Sequence, residues 1–234
     1  PTEMQVILGH KGGRSYRARV RGVEAHSSLA PRAVNAIEYA AELIAEMKRM
    51  SRSYAANGPY DDAYDVAHMT MQASMIGGGT AINIVPKDCS FMFEFRHLAE
   101  EDPDRLFDTI RDYAKRQLEP AMKAVAADAG FSFEPIYAYP ALETAADAEV
   151  TTFAKALTGR NDDAKVAFGT EAGLFSTRAG IPSVVCGPGS ITQAHKPDEF
   201  ITLDQLVQGE AFLRRLMDRM CAEPPNPTSE QAGG

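Results

Sequence analysis

The sequence predicts a chain of mixed architecture, with an α+β part followed by an α/β part. In the first part, segments with an apolar residue at every second position alternate with helical segments. From about residue 143 onward, helical stretches alternate with short apolar stretches, which are typical of buried strands in a mostly parallel sheet. The 234 residues are enough for one medium or two small cores, at about 100–150 residues per domain.

Four segments of the first part are predicted strands. Residues 15–21 alternate Tyr, Ala and Val with three arginines, whose side chains are expected to share a solvated face. Residues 69–75 alternate Met and Ala with polar residues, and residues 89–95 alternate Cys and Phe with polar residues. The methionines and phenylalanines are predicted to form the core of a sheet rather than a cofactor pocket. Residues 131–142 supply the fourth extended segment.

Two helices connect these strands. The first is predicted to begin near Pro31 and to continue for about five turns, with a polar loop over 51–65. The second follows Asp102, an N-cap residue that precedes a first-turn proline, and Pro120 is expected to end or kink it. The resulting order of strand, helix, strand, strand, helix, strand is that of a ferredoxin-like sandwich.

The second part is predicted to contain two buried strands and three helices. The strands cover 165–168 and 182–186, and the first two helices cover 146–157 and 171–178. Thr202 opens a capping-box pattern at the start of the last helix. The predicted buried face of that helix consists of Leu206, Leu213, Met217 and Met220.

Composition and charge limit the classes of function. The net charge of −8 argues against nucleic acid as the main partner, because phosphate binding requires clustered Lys and Arg. No apolar run approaches the roughly 18 residues of a membrane span, so no membrane partner is expected. The three cysteines are widely spaced and lie outside any Cys-x-x-Cys pattern, which predicts a reducing compartment and a cytoplasmic location. Small molecules or proteins are the expected partners.

His195 is the first candidate for chemistry. It lies in CGPGSITQAHKPDEF, residues 186–200, where small and turn-forming residues leave room for an ion and its substrate. Zinc sites need three or four ligands that usually occur in clusters, and no His-x-x-x-His or Cys-x-x-Cys is present. A surface or hydrogen-bonded histidine is therefore the alternative. Asp198 and Glu199 could orient the imidazole or form a solvated acidic turn.

His26 and Asn83 are candidates in loops. His26 lies between the arginine strand and the first helix, where it could donate to a developing oxyanion or help to cap the helix. Asn83 lies between two strands, where its amide could satisfy the backbone of a turn or donate to a ligand.

Arg96 and the Gly169-Thr170 pair are candidates for substrate contacts. Arg96 is predicted on the sheet face opposite the phenylalanines, where it could bind a carboxylate or form a salt bridge with Glu94 or Glu100. Gly169 and Thr170 follow a buried strand and open a helix, where backbone N–H groups can meet an anion. The glycine spacing fits neither a nucleotide-binding loop nor a nucleophile elbow, so phosphate binding and serine hydrolysis are not expected.

Four segments, in this order, resemble a family of two-zinc amidohydrolases that includes acetylornithine deacetylase, succinyl-diaminopimelate desuccinylase and aminoacylase. They are GHKGGRSYRARVRGVEAHSSLAPRAVNAIEYA, IGGGTAINIVPKDCSFMFEFR, FGTEAGLF and VVCGPGSITQAHKPDEF. The resemblance implies a zinc-hydrolase catalytic domain, only partly present here, with an inserted ferredoxin-like lid and dimerisation domain. The implied boundaries are a remnant of the catalytic domain over 1–12, the lid over 13–141, the C-terminal catalytic segment over 142–222, and a disordered tail over 223–234.

The resemblance also implies roles for the candidate residues. His26 would reach across a homodimer to polarise the scissile carbonyl or stabilise its oxyanion, and Asn83 would position the substrate from the same partner lid. Arg96 would hold the substrate carboxylate. Gly169 and Thr170 would line the pocket beside the metal ions.

His195 would be the final zinc ligand of the family pattern. The resemblance implies two zinc ions per intact subunit, and cobalt suits the same ligands. The family's other ligands lie upstream of a Pro-Thr pair, and this sequence begins with Pro1-Thr2. Because one ligand cannot hold zinc tightly, this chain by itself is expected to bind no metal firmly and to be inactive.

The function expected of the intact protein is metal-dependent hydrolysis of the amide of an N-acyl amino acid. The segment GPGSITQAHKPDEF favours N-acetylornithine as the substrate, which would place the protein in arginine biosynthesis. The alternatives are a desuccinylase or aminoacylase-like hydrolase, or a non-catalytic dimerisation module. The lid resemblance and an exposed sheet edge predict a homodimer.

Overall fold

The computed structural model describes residues 1–221, which divide into two compact units. The larger unit comprises residues 9–143 and 165–181. Within the described residues, the smaller unit comprises 1–8, 144–164 and 182–221. Residues 165–181 thus group with the segment predicted as the lid, although the sequence analysis assigned them to the C-terminal segment. The predicted tail over 223–234 lies outside the described residues.

Residues 1–221 contain seven strands and six α-helices. The strands are β1 (Ile7–His10), β2 (Gly12–Arg21), β3 (Thr70–Gly78), β4 (Asp88–His97), β5 (Gly130–Tyr139), β6 (Leu142–Glu143) and β7 (Ala164–Val166). The helices are α1 (Ala36–Asn57), α2 (Pro103–Tyr113), α3 (Glu119–Val125), α4 (Glu149–Thr158), α5 (Ala172–Ala179) and α6 (Leu203–Cys221).

The larger unit is built on an antiparallel sheet with the spatial order β3-β4-β2-β5. The predicted order of strand, helix, strand, strand, helix, strand is confirmed, and with this strand order it forms a ferredoxin-like sandwich. Strands β2 and β4 pair along their whole length, from Gly12 opposite His97 to Arg21 opposite Asp88. A short second sheet has the order β6-β1-β7.

The alternation of the central strands sorts their side chains between a helix-covered face and an open face. Tyr16, Ala18 and Val20 are buried with the apolar residues of β4 and the helices α1 to α3 in one core, as predicted. On the open face Arg19 is exposed, as expected, and it also pairs with Glu134 at 3.0 Å. The period of two therefore determines which residues form the core.

The methionine stripe of β3 is only half buried, contrary to the prediction. Met69 and Met71 lie in the core, but Met75 is 62% exposed. A β-bulge between Ala73 and Met75 shifts the register, so that Met75 pairs with Met92 on the open face. One extra residue thus moves the end of the strand to the opposite face.

The first helix begins later and ends later than predicted. Pro31 lies in a separate 3₁₀ segment, and α1 starts after Asn35, whose side-chain oxygen accepts two backbone N–H groups at 3.1 and 3.3 Å. The helix then continues through half of the predicted loop over 51–65, as far as Asn57. Met50 is buried in the core and Tyr54 packs against it, so the helical pattern of core contacts extends beyond the predicted end.

The second helical segment follows the predicted pattern. The Asp102 carboxylate accepts the N–H groups of Asp104 (2.9 Å) and Arg105 (3.2 Å), which confirms the N-cap. Pro120 lies in the first turn of α3, directly after a π-helical turn over Ala114–Leu118. Because proline lacks an N–H group, the regular hydrogen-bond pattern is interrupted here, as predicted.

The smaller unit departs from the prediction in two places. The strand expected over 182–186 is reduced to a single antiparallel bridge between Ile7 and Val185. Helix α6 has the predicted Thr202 cap, whose Oγ1 accepts the Gln205 N–H at 3.3 Å. Its predicted buried face is exposed, however: Leu206 53%, Leu213 56%, Met217 58% and Met220 71%.

The small residue Gly209 explains the orientation of α6. It is the buried residue of the helix, and a Cβ atom built there would lie 3.0 Å from Cγ of Pro188. The helix therefore packs through its glycine side, which leaves the apolar stripe uncovered within residues 1–221. No helix in this range is long and apolar enough to cross a membrane.

Candidate functional site

The two loop candidates, His26 and Asn83, lie side by side at one end of the central sheet. The Ser27 N–H donates to the Asn83 carbonyl at 2.9 Å, and His26 forms a β-bridge with Ile84. These contacts continue the pairing of β2 with β4 beyond the ends of both strands. Both candidate side chains are exposed, and the neighbouring Ile82 is fully exposed at 104%.

His26 is held by the residue two positions later. Its Nδ1 accepts the backbone N–H of Ser28 at 3.3 Å and lies 2.8 Å from the Ser28 hydroxyl oxygen. His26 is thus the N-cap of the 3₁₀ segment Ser27–Arg32, and not of the long helix that the capping alternative referred to, which is capped by Asn35. Capping occupies only one of the two ring nitrogens, so the other is still available to a ligand.

Arg96 lies at the opposite end of the sheet, among residues that we call the Arg96 cluster: Glu94, Arg96, Tyr137, Tyr139 and Gly169. Arg96 Nη2 donates to Glu94 Oε2 (3.1 Å) and to the Tyr137 hydroxyl (3.3 Å). Its guanidinium lies over the rings of Tyr137 and Tyr139, 5.9 and 5.6 Å from their centroids. The salt-bridge alternative with Glu94 is therefore present.

The Arg96 cluster is electrostatically coupled. The Tyr137 hydroxyl also donates to Glu94. Burial is the larger cause and this hydrogen bond the smaller one, and together they raise the pKa of Tyr137 to about 12. Burial alone would raise the pKa of Glu94, but the hydrogen bond from Tyr137 and the charge of Arg96 lower it overall. Glu94 is thus a charged acceptor that fixes Arg96. Nε and Nη1 of the guanidinium keep N–H groups with no partner in the described part of the chain.

Gly169 supports the Arg96 cluster from the side of Tyr139. A Cβ atom built on Gly169 would lie 2.0 Å from Cε2 of Tyr139, and one built on Gly13 would lie 2.6 Å from its Cζ. The tyrosine ring is thus enclosed between two glycine backbones, where no side chain fits. Gly169 therefore contributes by its lack of a side chain.

Thr170 has a structural contact and lies against a buried histidine. Its Oγ1 accepts the Ala172 N–H at 3.1 Å, at the start of α5. The Thr170 backbone also lies against the ring of His10, which is fully buried and donates Nδ1–H to the Lys11 carbonyl at 3.0 Å. Burial is the largest influence on the pKa of His10 and lowers it, while the hydrogen bonds to the Lys11 and Thr170 backbones act in the opposite direction.

His195 lies in the smaller unit, in a tight exposed turn. Its φ angle is +60°, in the left-handed region that few non-glycine residues adopt, and Asp198 has a φ angle of +59°. The Glu199 carboxylate accepts the backbone N–H of His195 at 3.1 Å. Glu199 thus stabilises the turn through the backbone, which agrees with the acidic-turn alternative rather than with an acceptor for the imidazole.

The described residues do not form a metal centre by themselves. Within residues 1–221, no group of three or more His, Cys, Asp or Glu side chains is placed so that it could hold a metal ion. His195 is therefore a single candidate ligand. The cysteines Cys89, Cys186 and Cys221 are free thiols.

The structure separates the candidate residues of the larger unit into two groups. The His26 loop follows the Arg21 and Asp88 end of the β2–β4 pair, and the Arg96 cluster lies at its other end. Eight residue steps along β4 correspond to about 26 Å, so one protomer cannot place both groups on the same small substrate.

The tyrosines of the Arg96 cluster and the buried His10 beside Tyr139 were not predicted as site residues from the sequence. Tyr137 and Tyr139 share a face of β5, and their two-residue spacing was the available signal. His10 gave no local signal, because its neighbours Thr170 and Tyr139 come from distant parts of the chain.

The fold is that of a ferredoxin-like domain, which carries two separate sets of candidate ligand-binding groups. Residues 8–122 match the family described as peptidase dimerisation domain, M20_dimer. An acetylornithine deacetylase of Myxococcus xanthus is 32% identical over 228 residues, which cover 94% of this chain and 56% of the relative. An acetylornithine deacetylase of Pasteurella multocida is 28% identical over 94% of this chain and 56% of the relative.

Solved structures share the fold. A tripeptidase from Staphylococcus aureus superimposes with a TM-score of 0.66 at 20% identity, over 91% of this chain and 52% of the other. The aminopeptidase PepT from Bacillus cereus superimposes with a TM-score of 0.67 at 21% identity, over 95% of this chain and 55% of PepT. Residues 8–122 thus match the peptidase dimerisation domain model, and 94% of the chain is similar to acetylornithine deacetylases. It spans just over half the length of these relatives.

Proposed function

We propose that this chain is part of a metal-dependent hydrolase that cleaves the amide bond of an N-acyl amino acid, with N-acetylornithine as the substrate. The names of the relatives that match 94% of the chain support this substrate. The Arg96 cluster supports the substrate class, because a fixed guanidinium with N–H groups to spare suits a carboxylate.

The observation that carries the proposal is the separation of the two residue groups. In a homodimer that pairs two copies of the dimerisation domain, His26 and Asn83 of one subunit contact the substrate that Arg96 of the other subunit holds. Ile82 and Ile84 support this arrangement, because they make the His26 end of the domain apolar and exposed. Such a site is complete only in the dimer.

The metal of the proposed hydrolase needs ligands in addition to His195. Zinc would supply an activated water and a Lewis acid when a complete set of ligands is present. Residues 1–221 offer His195 and no metal-binding cluster, so we expect the 234-residue chain alone to be inactive. The cytoplasmic location also stays a prediction.

The decisive experiment is subunit complementation in the full-length gene product. The variants H26A and R96A should each lose most hydrolysis of N-acetylornithine. Mixed and reassociated, they should recover about one quarter of wild-type activity, because half of the dimers are mixed and each has one intact site of two. Equal mixing of H26A with N83A, which removes groups from the same side, is the matched control and should recover little.

Two outcomes would contradict the proposal. Recovery in neither mixture would exclude a site shared between subunits, and equal turnover of acetyl and succinyl substrates would exclude the assigned substrate. The non-catalytic alternative rests on the lack of a metal cluster in residues 1–221. A dimeric but inactive full-length product in the presence of zinc would favour it.

A further inference from the structure

The hydrogen bonds of His26 define which ring nitrogen carries the proton. A backbone N–H can only donate, and the Ser28 N–H is directed at Nδ1 of His26. Nδ1 must therefore present a lone pair. The Ser28 hydroxyl, 2.8 Å away, can donate to the same lone pair. Of the two tautomers, these hydrogen bonds thus favour the one that carries its proton on Nε2.

Other histidines of the same unit show the opposite arrangement. His10, His68 and His97 each have Nδ1 within 3.0 Å of the carbonyl oxygen of the next residue. A carbonyl oxygen can only accept, so in these rings Nδ1 carries the proton and Nε2 presents a lone pair. His26 is therefore equipped to donate through Nε2, whereas the other three are equipped to accept there.

We infer that Ser28 is a positioning residue that holds His26 as an Nε2–H donor aimed at the substrate oxygen. The inference rests on the proposed function, in which His26 polarises a carbonyl or stabilises an oxyanion. Such a task requires a donor at the outer end of the ring, because an Nε2 lone pair would repel the developing negative charge. Since Nδ1 faces its own backbone, Nε2 is the end available to a partner subunit.

The loop around His26 is held by backbone hydrogen bonds, so the Ser28 side chain can be replaced without releasing the loop. The Asn83 carbonyl accepts the Ser27 N–H at 2.9 Å, and the His26 carbonyl accepts the Leu29 N–H at 2.8 Å. These backbone bonds hold the loop independently of the Ser28 side chain. Removal of the Ser28 hydroxyl should therefore change the hydrogen bonding of the His26 ring and leave the loop backbone in place.

The test is histidine ¹⁵N NMR on the 234-residue chain at about pH 8.5, well above the ordinary histidine pKa of about 6.5. Long-range proton–nitrogen correlations distinguish the two neutral tautomers, and the variant H26N identifies the His26 signals. Wild-type His26 should show the Nε2–H pattern, and His10, His68 and His97 should show the Nδ1–H pattern as internal references. S28A should raise the Nδ1–H share of His26 about twofold or more, because the hydroxyl can also accept from Nδ1–H and only the difference between the two bonds is lost.

Two matched variants control this measurement. S28T keeps a hydroxyl and should retain the wild-type pattern, and S27A removes a neighbouring exposed hydroxyl and should also retain it. An Nδ1–H pattern in wild-type His26 would overturn the inference, and so would an unchanged tautomer ratio in S28A. Backbone amide spectra of the variants would verify that the fold is intact.

A kinetic measurement on the full-length product separates this inference from the proposed function. S28A should lower kcat on N-acetylornithine several-fold with little change in KM, and S28T should restore it. If the tautomer responds to Ser28 but no N-acyl amino acid is hydrolysed, the positioning holds and the proposed function fails. If hydrolysis occurs and the tautomer ignores Ser28, the positioning fails alone.

Discussion

The ring of Tyr139 can occupy its place only because the two residues on either side of it have no side chain. Its ring lies between the backbones of Gly13 and Gly169, and on its face it receives the guanidinium of Arg96. The residues that meet here come from widely separated parts of the chain. The packing around Tyr139 is so close that one added methyl group would clash with the ring.

The variant G169A tests this close approach. Its methyl group would lie 2.0 Å from Tyr139, so the ring must move, and we expect a loss of about 1–3 kcal/mol in the free energy of unfolding. Denaturant unfolding measures this loss. G77A is the matched control in the same unit, because a Cβ atom there meets nothing within 4 Å. Equal stability of G169A and G77A would show that the contact is not tight.

Helix α1 shows how capping decides the start of an element. Its apolar periodicity extends back to Val34, but the helix begins only after Asn35, whose side chain accepts two N–H groups and donates to Glu38 Oε1 at 2.9 Å. Pro31, which also favours a helical start, is used in the preceding 3₁₀ segment. Two start signals thus lie close together, and local propensity alone does not choose between them.

Replacement of the cap should destabilise the larger unit. N35A removes the acceptor for two N–H groups of the first turn, and we expect a loss of about 1 kcal/mol in the free energy of unfolding. N35S supplies a comparable acceptor and should retain most of the stability. Thermal or urea unfolding monitored by circular dichroism measures both. Equal losses in N35A and N35S would contradict the capping role.

For the whole molecule, buried neutral histidines make the stability dependent on pH. Burial lowers the pKa of both His10 and His97. As pH falls below the ordinary value of about 6.5, the unfolded chain binds protons before the folded chain does. The stability contributed by these rings is therefore present above about pH 6.5 and is lost as the pH falls toward the folded pKa values.

The variant H97N isolates one of these contributions. We expect the free energy of unfolding of the wild type to fall between about pH 8 and about pH 5.5, and H97N to show a shallower fall because asparagine does not titrate. Arg14, Asp102 and Asp104 also face His97, and H97N leaves all three in place. The difference between the two slopes thus reports His97. Parallel curves would show that its protonation is not linked to folding.

The sequence by itself determined the ferredoxin-like order and most of the core, because periodicity is a local property that each strand and helix carries alone. The strands around Tyr16 and Phe93 could be predicted for this reason, as could the cap at Asp102. Of the candidate site, sequence could indicate single residues such as Arg96 and His26. The sequence could not indicate that Arg96 and His26 lie at opposite ends of the sheet.

The tertiary structure alone decided the register of β3, the exposed stripe of α6 and the composition of the Arg96 cluster. A bulge at Ala73 reverses a face, and Gly209 turns a helix toward Pro188. Tyr139 meets Gly13 and Gly169 only because β2 and β5 pair and the chain returns after β7. Each feature depends on contacts between residues far apart in sequence, which no local pattern encodes.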